Sequence, residues 1–177
     1  MGDTVVTIIV IVLGAVLMFV FPLMSVADRS DDVSQLSVQS ATTTFVDGIR
    51  STGRITLDNY NKFVQEINST GNTYDVVMEV KILDENPGKK TAQTTYEKIG
   101  ENVYYTEYTS QILDELGDSS NNYTKYLKEG DVVTVSVKNT NTTISQLLRN
   151  FFYTVAGNDY ATIGASQGGI VTVNGRN

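Results

Sequence analysis

The oxygen-bearing side chains best suited to hold a cation stand close together in the second half of the chain. Asp114, Glu115 and Asp118 precede the polar run Ser119–Asn122, so carboxylate, hydroxyl and amide oxygens follow one another closely. Such oxygen donors suit Ca²⁺, but their spacing matches no EF-hand loop. Acidic residues at a helix end beside a polar loop are usually solvated. We therefore predict no metal-binding residues here.

A second candidate is a serine between small residues, Ser166 within Gly164–Gly169. The hydrolase nucleophile elbow has this composition, but it joins a strand to a helix and works with a histidine. Here we expect strands on both sides, so we predict a glycine-rich turn. A phosphate-binding loop is also excluded, since no Lys follows and no helix begins there.

The composition removes most other catalytic chemistry. The chain has 177 residues with no Cys and no His, which excludes thiolate nucleophiles, zinc–thiolate sites, disulfides and Ser-His-Asp triads. A hydrolase that uses carboxylates alone is the one enzyme class left, and it could draw only on scattered glutamates: Glu79, Glu97, Glu101, Glu107 and Glu115. These residues form no motif, so we predict a protein that is not an enzyme and has no catalytic or cofactor-binding residues.

The charge of the chain also limits its partners. The chain has 13 Lys and Arg and 20 Asp and Glu, which gives a net charge of −7. Nucleic-acid surfaces need clustered basic residues, so we predict no nucleic-acid partner and no small-molecule substrate.

The N-terminal residues have the composition of a membrane segment. No charged residue occurs from Thr4 to Ala27, a stretch of roughly 36 Å as a helix, and a bilayer core is about 30 Å thick. We predict a transmembrane anchor over residues 1–27, in contact with membrane lipid. The alternative is a cleaved signal sequence, since Ser25-Val26-Ala27 has the small-x-small form of a cleavage site.

The anchor helix is expected to continue into water over residues 28–53. Neither Pro nor Gly occurs between Arg29 and Asp47, and one apolar stripe recurs at roughly helical spacing. The stripe consists of Val26, Val33, Leu36, Ala41, Phe45 and Ile49. We predict a helix to about Arg50, with a kink or a short unwound turn at Pro22.

Residues 54–177 are predicted to form an α+β head, with helices packed on one face of a small antiparallel sheet. The expected helices are one capped by Thr56 and ended by Gly71, one near Tyr108–Leu116, and one capped by Thr142 or Thr143 that carries Ile144, Leu147, Leu148, Phe151, Phe152 and Val155. The expected strands are Tyr74–Leu83, a short strand at Tyr104, Val132–Lys138, and a terminal hairpin of Tyr160–Ala165 and Ile170–Val173. A turn at Asn86–Gly88 and a loop at Gly88–Thr95 complete the prediction.

This order of segments resembles type IV pilin-like proteins, in particular the TadE-like pseudopilins of tight-adherence pili. The likeness rests on the N-terminal apolar helix with Pro22, on Phe45–Thr56 followed by Tyr60, Phe63, Gly71 and Tyr74-Asp75-Val76, and on Gly130-Asp131 and Gly168-Gly169. Family members are cleaved after a glycine and carry a Glu in the first turn of the mature chain. In this chain Gly2 would be the cleavage glycine. Residues 3–7 contain no Glu, and the carboxylate of Asp3 would partly take its place.

The resemblance implies a structural, non-catalytic subunit that assembles through its N-terminal helix. Its partners would be further copies of itself or other pilin-like subunits. Its head would face outside the cytoplasm, at the cell membrane or in a cell-surface filament, and the acidic flank Asp28, Asp31 and Asp32 fits that orientation. The alternative is a single-pass accessory or sensor subunit of a secretion or conjugation complex.

Overall fold

A single very long helix leads into a small head of short helices and strands. The computed structural model describes residues 2–83, 104–147 and 163–176. In chain order the elements are α1 (Gly2–Thr52), β1 (Arg54–Thr56), α2 (Leu57–Asn68), β2 (Tyr74–Leu83), β3 (Tyr104–Tyr108), α3 (Thr109–Leu116), β4 (Thr124–Tyr126), β5 (Val132–Asn139) and β6 (Gly164–Ile170). The turn and loop predicted at 86–95, and the apolar residues predicted at 148–155, lie outside the described residues.

Helix α1 has 51 residues, which makes it about 77 Å long at 1.5 Å per residue. It ends at Thr52, two residues beyond the predicted end, so the predicted membrane segment and its predicted extension form one helix. The helix continues through Pro22, so of the two alternatives predicted there the unwound turn is wrong and the kink stays a prediction. Proline removes one backbone hydrogen bond, whereas unwinding would free further backbone groups in an apolar segment.

The head is α+β, as predicted, and its main sheet is antiparallel throughout. The strand order is β3-β2-β5-β6, with Met78 opposite Val135 and Val80 opposite Val133. These side chains are fully buried on one face of the sheet, where they join Phe45 of α1, Phe63 of α2 and Ile112 of α3 in one hydrophobic core. The stacked rings of Phe45 and Phe63, 4.5 Å apart, hold α2 against α1.

Most local boundaries follow the sequence signals. Strand β2 has the predicted bounds, and β5 is one residue longer than predicted. The hydroxyl of Thr56 accepts a hydrogen bond from the Asn59 amide at 3.1 Å, which caps α2 as expected. The short strands β1 and β4, which pair with each other, were not predicted.

The predicted terminal hairpin is wrong, and residues 160–162 of its first strand lie outside the described residues. Gly164–Ile170 is not a turn but the strand β6, which pairs along its length with β5. Its glycines serve close packing: a Cβ on Gly169 would lie 2.5 Å from Nε of Arg50 in α1, and one on Gly168 would lie 3.0 Å from the carbonyl oxygen of Val133. Glycine is therefore required here because a helix and a strand approach closely, and not because the chain reverses.

The apolar stripe of α1 is also partly wrong. Ala41, Phe45 and Ile49 face the core, but Val33 and Leu36 are exposed, as is Val26. The residues that complete the buried face are Ser34, Val38, Thr42 and Val46. Ser34 and Thr42 are tolerated there because each hydroxyl donates to the carbonyl oxygen four residues earlier, at 2.9 and 2.7 Å.

Candidate functional site: the free half of helix α1

The N-terminal half of α1 has an apolar surface that the described part of the head leaves exposed. We call residues 2–27 the free half. Fifteen large apolar side chains between Val5 and Val26 are exposed, from 40 % for Leu17 to 75 % for Phe19. They surround the helix on all sides, since every residue from Ile8 to Leu13 is among them. An apolar surface of this extent needs lipid or protein around it.

Length and charge fit a membrane span. The free half belongs to the one helix, among the described residues, that is long and apolar enough to cross a membrane. After Asp3 it carries no charge until Asp28. Bilayer hydrocarbon excludes charged groups, so residues 4–27 can occupy it without cost from buried ions.

The head holds the other half of α1 through strand β6. The side chain of Gln35 bonds both backbone groups of Gly164: Nε2 donates to the carbonyl oxygen at 2.6 Å, and Oε1 accepts from the amide at 2.8 Å. Farther along the helix, Nε of Arg50 donates to the carbonyl oxygen of Ile170 at 3.1 Å. Helix and strand are thus joined at both ends of β6.

A second attachment lies close to the free half. The hydroxyl of Thr143 donates to Asp31 at 2.7 Å, and the hydroxyl of Ser145 donates to Asp28. Thr143 also caps the helical segment that starts at Ile144, as predicted, since its hydroxyl accepts from the Gln146 amide at 3.2 Å. The polar residues just after the free half are therefore bonded to the base of the head.

The exposed side of the head-bound half carries two large apolar side chains. Val33 is 61 % exposed and Leu36 is 66 % exposed. At about 100° per residue they lie nearly opposite Val38, which is fully buried. This surface is next to the free half and points away from the head.

The residues considered for calcium do not form a site. Glu115 accepts a hydrogen bond from Lys125 at 2.8 Å. Asp118 caps a 3-10 turn, Ser119–Asn121, and the hydroxyl and amide of Ser120 lower the pKa of its carboxyl group. Among the described residues, no three carboxylates come close enough together to share a metal ion.

Two of the glutamates considered for hydrolysis, Glu107 and Glu115, belong to an ion cluster that the sequence does not predict. Lys125 of β4 is only 3 % exposed, and its ammonium group binds Glu107 of β3 and Glu115 of α3. Burial by itself would lower the pKa of Lys125, but the hydrogen bonds to both glutamates and their charges raise it overall. The cluster joins the β1–β4 ribbon to the main sheet, and Glu107 and Glu115 bind one cation instead of facing across a cleft.

The remaining residues considered for chemistry have structural neighbours. Ser166 lies on the outer face of β6, where its hydroxyl is 2.9 Å from that of Ser136. Glu79 is 3.6 Å from Lys81 on the same strand, and Glu97 and Glu101 lie outside the described residues.

No family model, curated protein or solved structure matches this chain.

Proposed function

We propose that this protein is a non-catalytic, pilin-like membrane subunit that assembles through helix α1. In this proposal the free half crosses the cell membrane, and the head lies on the extracytoplasmic side. The subunit resembles the TadE-like pseudopilins, and its partners are further copies of itself or other pilin-like subunits.

The observation that carries the proposal is the division of α1 into two halves. The core of the head buries one face of residues 34–49, whereas the large apolar side chains of the free half between Val5 and Val26 remain 40–75 % exposed. A helix with these two halves can pass from lipid into a bundle of similar helices without exposing its apolar side chains to water. The head stays attached throughout because Gln35 and Arg50 bind β6.

A fixed accessory or sensor subunit is the second candidate. It is supported by Val33 and Leu36, which form an apolar surface beyond the membrane segment. In that case α1 would keep its place in the bilayer, and this surface would bind a different protein in a fixed ratio.

Shearing of intact cells tests the first proposal. Antibody against the head is expected to detect the chain in the sheared, high-molecular-weight surface fraction as well as in membranes. A chain confined to the membrane pellet, with none in the sheared fraction, would contradict assembly into a filament and favour the accessory subunit.

A further inference from the structure

The base of the head carries two exposed apolar side chains on the segment that is bonded to Asp28 and Asp31, just beyond the free half. Ile144 is 65 % exposed and Leu147 is 59 % exposed, and both belong to the helical segment capped by Thr143. Exposed apolar residues that stand singly are common on protein surfaces. The position of this pair relative to the membrane segment makes it unusual.

Two hydrogen bonds fix the height of this segment along α1. Thr143 binds Asp31, which lies about 6 Å beyond Ala27 at 1.5 Å per residue. Ser145, two residues later, binds Asp28, only about 1.5 Å beyond Ala27. The chain therefore descends toward the membrane segment as it passes from Thr143 to Ser145.

A groove links the two surfaces directly. It has a volume of about 470 Å³, and Ile144 lines it together with Leu23 and Val26 of the uncharged segment. Most of the remaining residues that line the groove are polar and include Asn72 and Asn141 of the head. One groove thus crosses from residues that suit hydrocarbon to residues that suit water, as the headgroup region of a bilayer does.

We propose that Ile144 and Leu147 form a second membrane-contact site, which enters the boundary between headgroups and acyl chains beside α1. The inference depends on the free half crossing a bilayer, as proposed above. The occupant is lipid, because the groove is continuous with the side chains of Leu23 and Val26. Asp28 and Asp31 lie at this level, where the hydroxyls of Ser145 and Thr143 take the place of water around their carboxylates.

The site holds the head against the membrane surface while the subunit is in the bilayer. Burial of apolar side chains at the interface stabilises such contacts, as in amphipathic interfacial helices. When α1 leaves the membrane, both side chains are released from lipid.

Depth-dependent fluorescence quenching tests the site. Since the chain has no Cys, Ile144→Cys and Leu147→Cys can each carry one environment-sensitive fluorophore. The matched control is Ile170→Cys, because Ile170 is 56 % exposed and is bound to Arg50, about 35 Å from Ala27 along α1. Val12→Cys reports on the membrane span itself.

Each full-length variant is reconstituted at one chain per phosphatidylcholine nanodisc, with spin-labelled phosphatidylcholine as quencher. A spin label near the headgroup is expected to quench the fluorophores at positions 144 and 147 strongly, and more than a label deep in the acyl chain does. The deep label should quench position 12 best, and neither label should quench position 170.

The site would be overturned, and the membrane anchor left intact, if the fluorophore at position 12 were quenched while those at positions 144 and 147 were quenched no more than the one at position 170. Lack of quenching at position 12 as well would overturn both the anchor and the site. Because each nanodisc holds one chain, contact with a second subunit cannot imitate the expected result.

Discussion

Gln35 of α1 bonds both backbone groups of Gly164, the first residue of the edge strand β6. At the other end of the strand, Arg50 binds the carbonyl oxygen of Ile170. The two distances match, since the helix rises about 22 Å over the 15 residues from Gln35 to Arg50, and the strand extends about 20 Å over the six residues from Gly164 to Ile170. The helix thereby runs along the outer edge of the sheet, and its side chains occupy edge positions that could otherwise pair with another strand.

Gln35→Ala is expected to destabilise the head. The variant loses two hydrogen bonds and leaves the half-buried amide and carbonyl of Gly164 without this partner, at a cost of about 1–3 kcal/mol. Chemical denaturation of the detergent-solubilised chain measures the loss. Gln39→Ala, at an exposed position on the same helix, is the control and should change stability little. Equal effects from the two variants would mean that Gln35 does not hold β6.

Gly53→Ala is expected to cost more than about 2 kcal/mol, because its backbone is left-handed and its space is filled. The φ angle is +65°, and an added Cβ would lie 2.5 Å from the amide nitrogen of Gly175 and closer still to the carbonyl oxygen of Val173. Gly48→Ala, in open space within α1, should instead stabilise the helix by roughly 0.5–1 kcal/mol. Thermal unfolding of both variants checks the contrast, and an unchanged melting temperature for Gly53→Ala would show that the C-terminal residues do not pack as described.

Lys125→Met is expected to destabilise the head by about 3–5 kcal/mol at neutral pH, because Glu107 and Glu115 lose their shared cation. The triple variant Lys125→Met/Glu107→Gln/Glu115→Gln removes both negative charges and should recover part of the loss. Urea denaturation compares the two. If the triple variant were less stable than the single one, repulsion between the glutamates would not explain the loss.

The same cluster predicts a difference at alkaline pH. The folded state raises the pKa of Lys125 above its ordinary value of 10.5, so its contribution is fully present below that pH and is lost as pH rises through the folded-state pKa. Stability of the wild-type head should therefore fall more steeply above pH 10.5 than that of Lys125→Met. Parallel pH profiles for the two proteins would show that Lys125 has a similar pKa in the folded and unfolded states.

The mature chain is expected to retain the free half. A span of 24 uncharged residues is longer than the 7–15-residue apolar core of a typical cleaved signal. N-terminal sequencing and intact mass of the protein from membranes measure this. A chain that begins at Met1 or Asp3 agrees with the anchor, and Asp3 would further indicate cleavage after Gly2. A chain that begins at Asp28 would identify a secreted domain and contradict the membrane subunit.

The sequence predicted the elements whose signals are local. Helix α1 is predictable because only Gly14 and Pro22 between Thr4 and Asp47 strongly disfavour a helix. Strand β2 is predictable because its apolar residues alternate. The glycines of β6 predict a turn, because glycine is typical both of turns and of close packing, and only the position of α1 distinguishes the two.

The contacts that fix the candidate site depend on distant parts of the chain and could not be read from spacing. Gln35 and Gly164 are 129 residues apart, and Ser145 and Asp28 are 117 apart. Lys125 carried no local signal of burial, since its partners come from β3 and α3. The exposed free half, by contrast, follows directly from its composition.

Photo-crosslinking from position 36 in living cells tests the central proposal most directly. A photo-reactive residue replaces Leu36, which is 66 % exposed on the side of α1 away from the head, and the control replaces Val77, exposed on the outer face of the sheet. Assembly through α1 predicts a ladder of homo-oligomers, or of oligomers with other pilin-like subunits, from position 36 and a weaker ladder or none from position 77. A single band with one different protein, and no ladder, would contradict assembly and support a fixed accessory subunit.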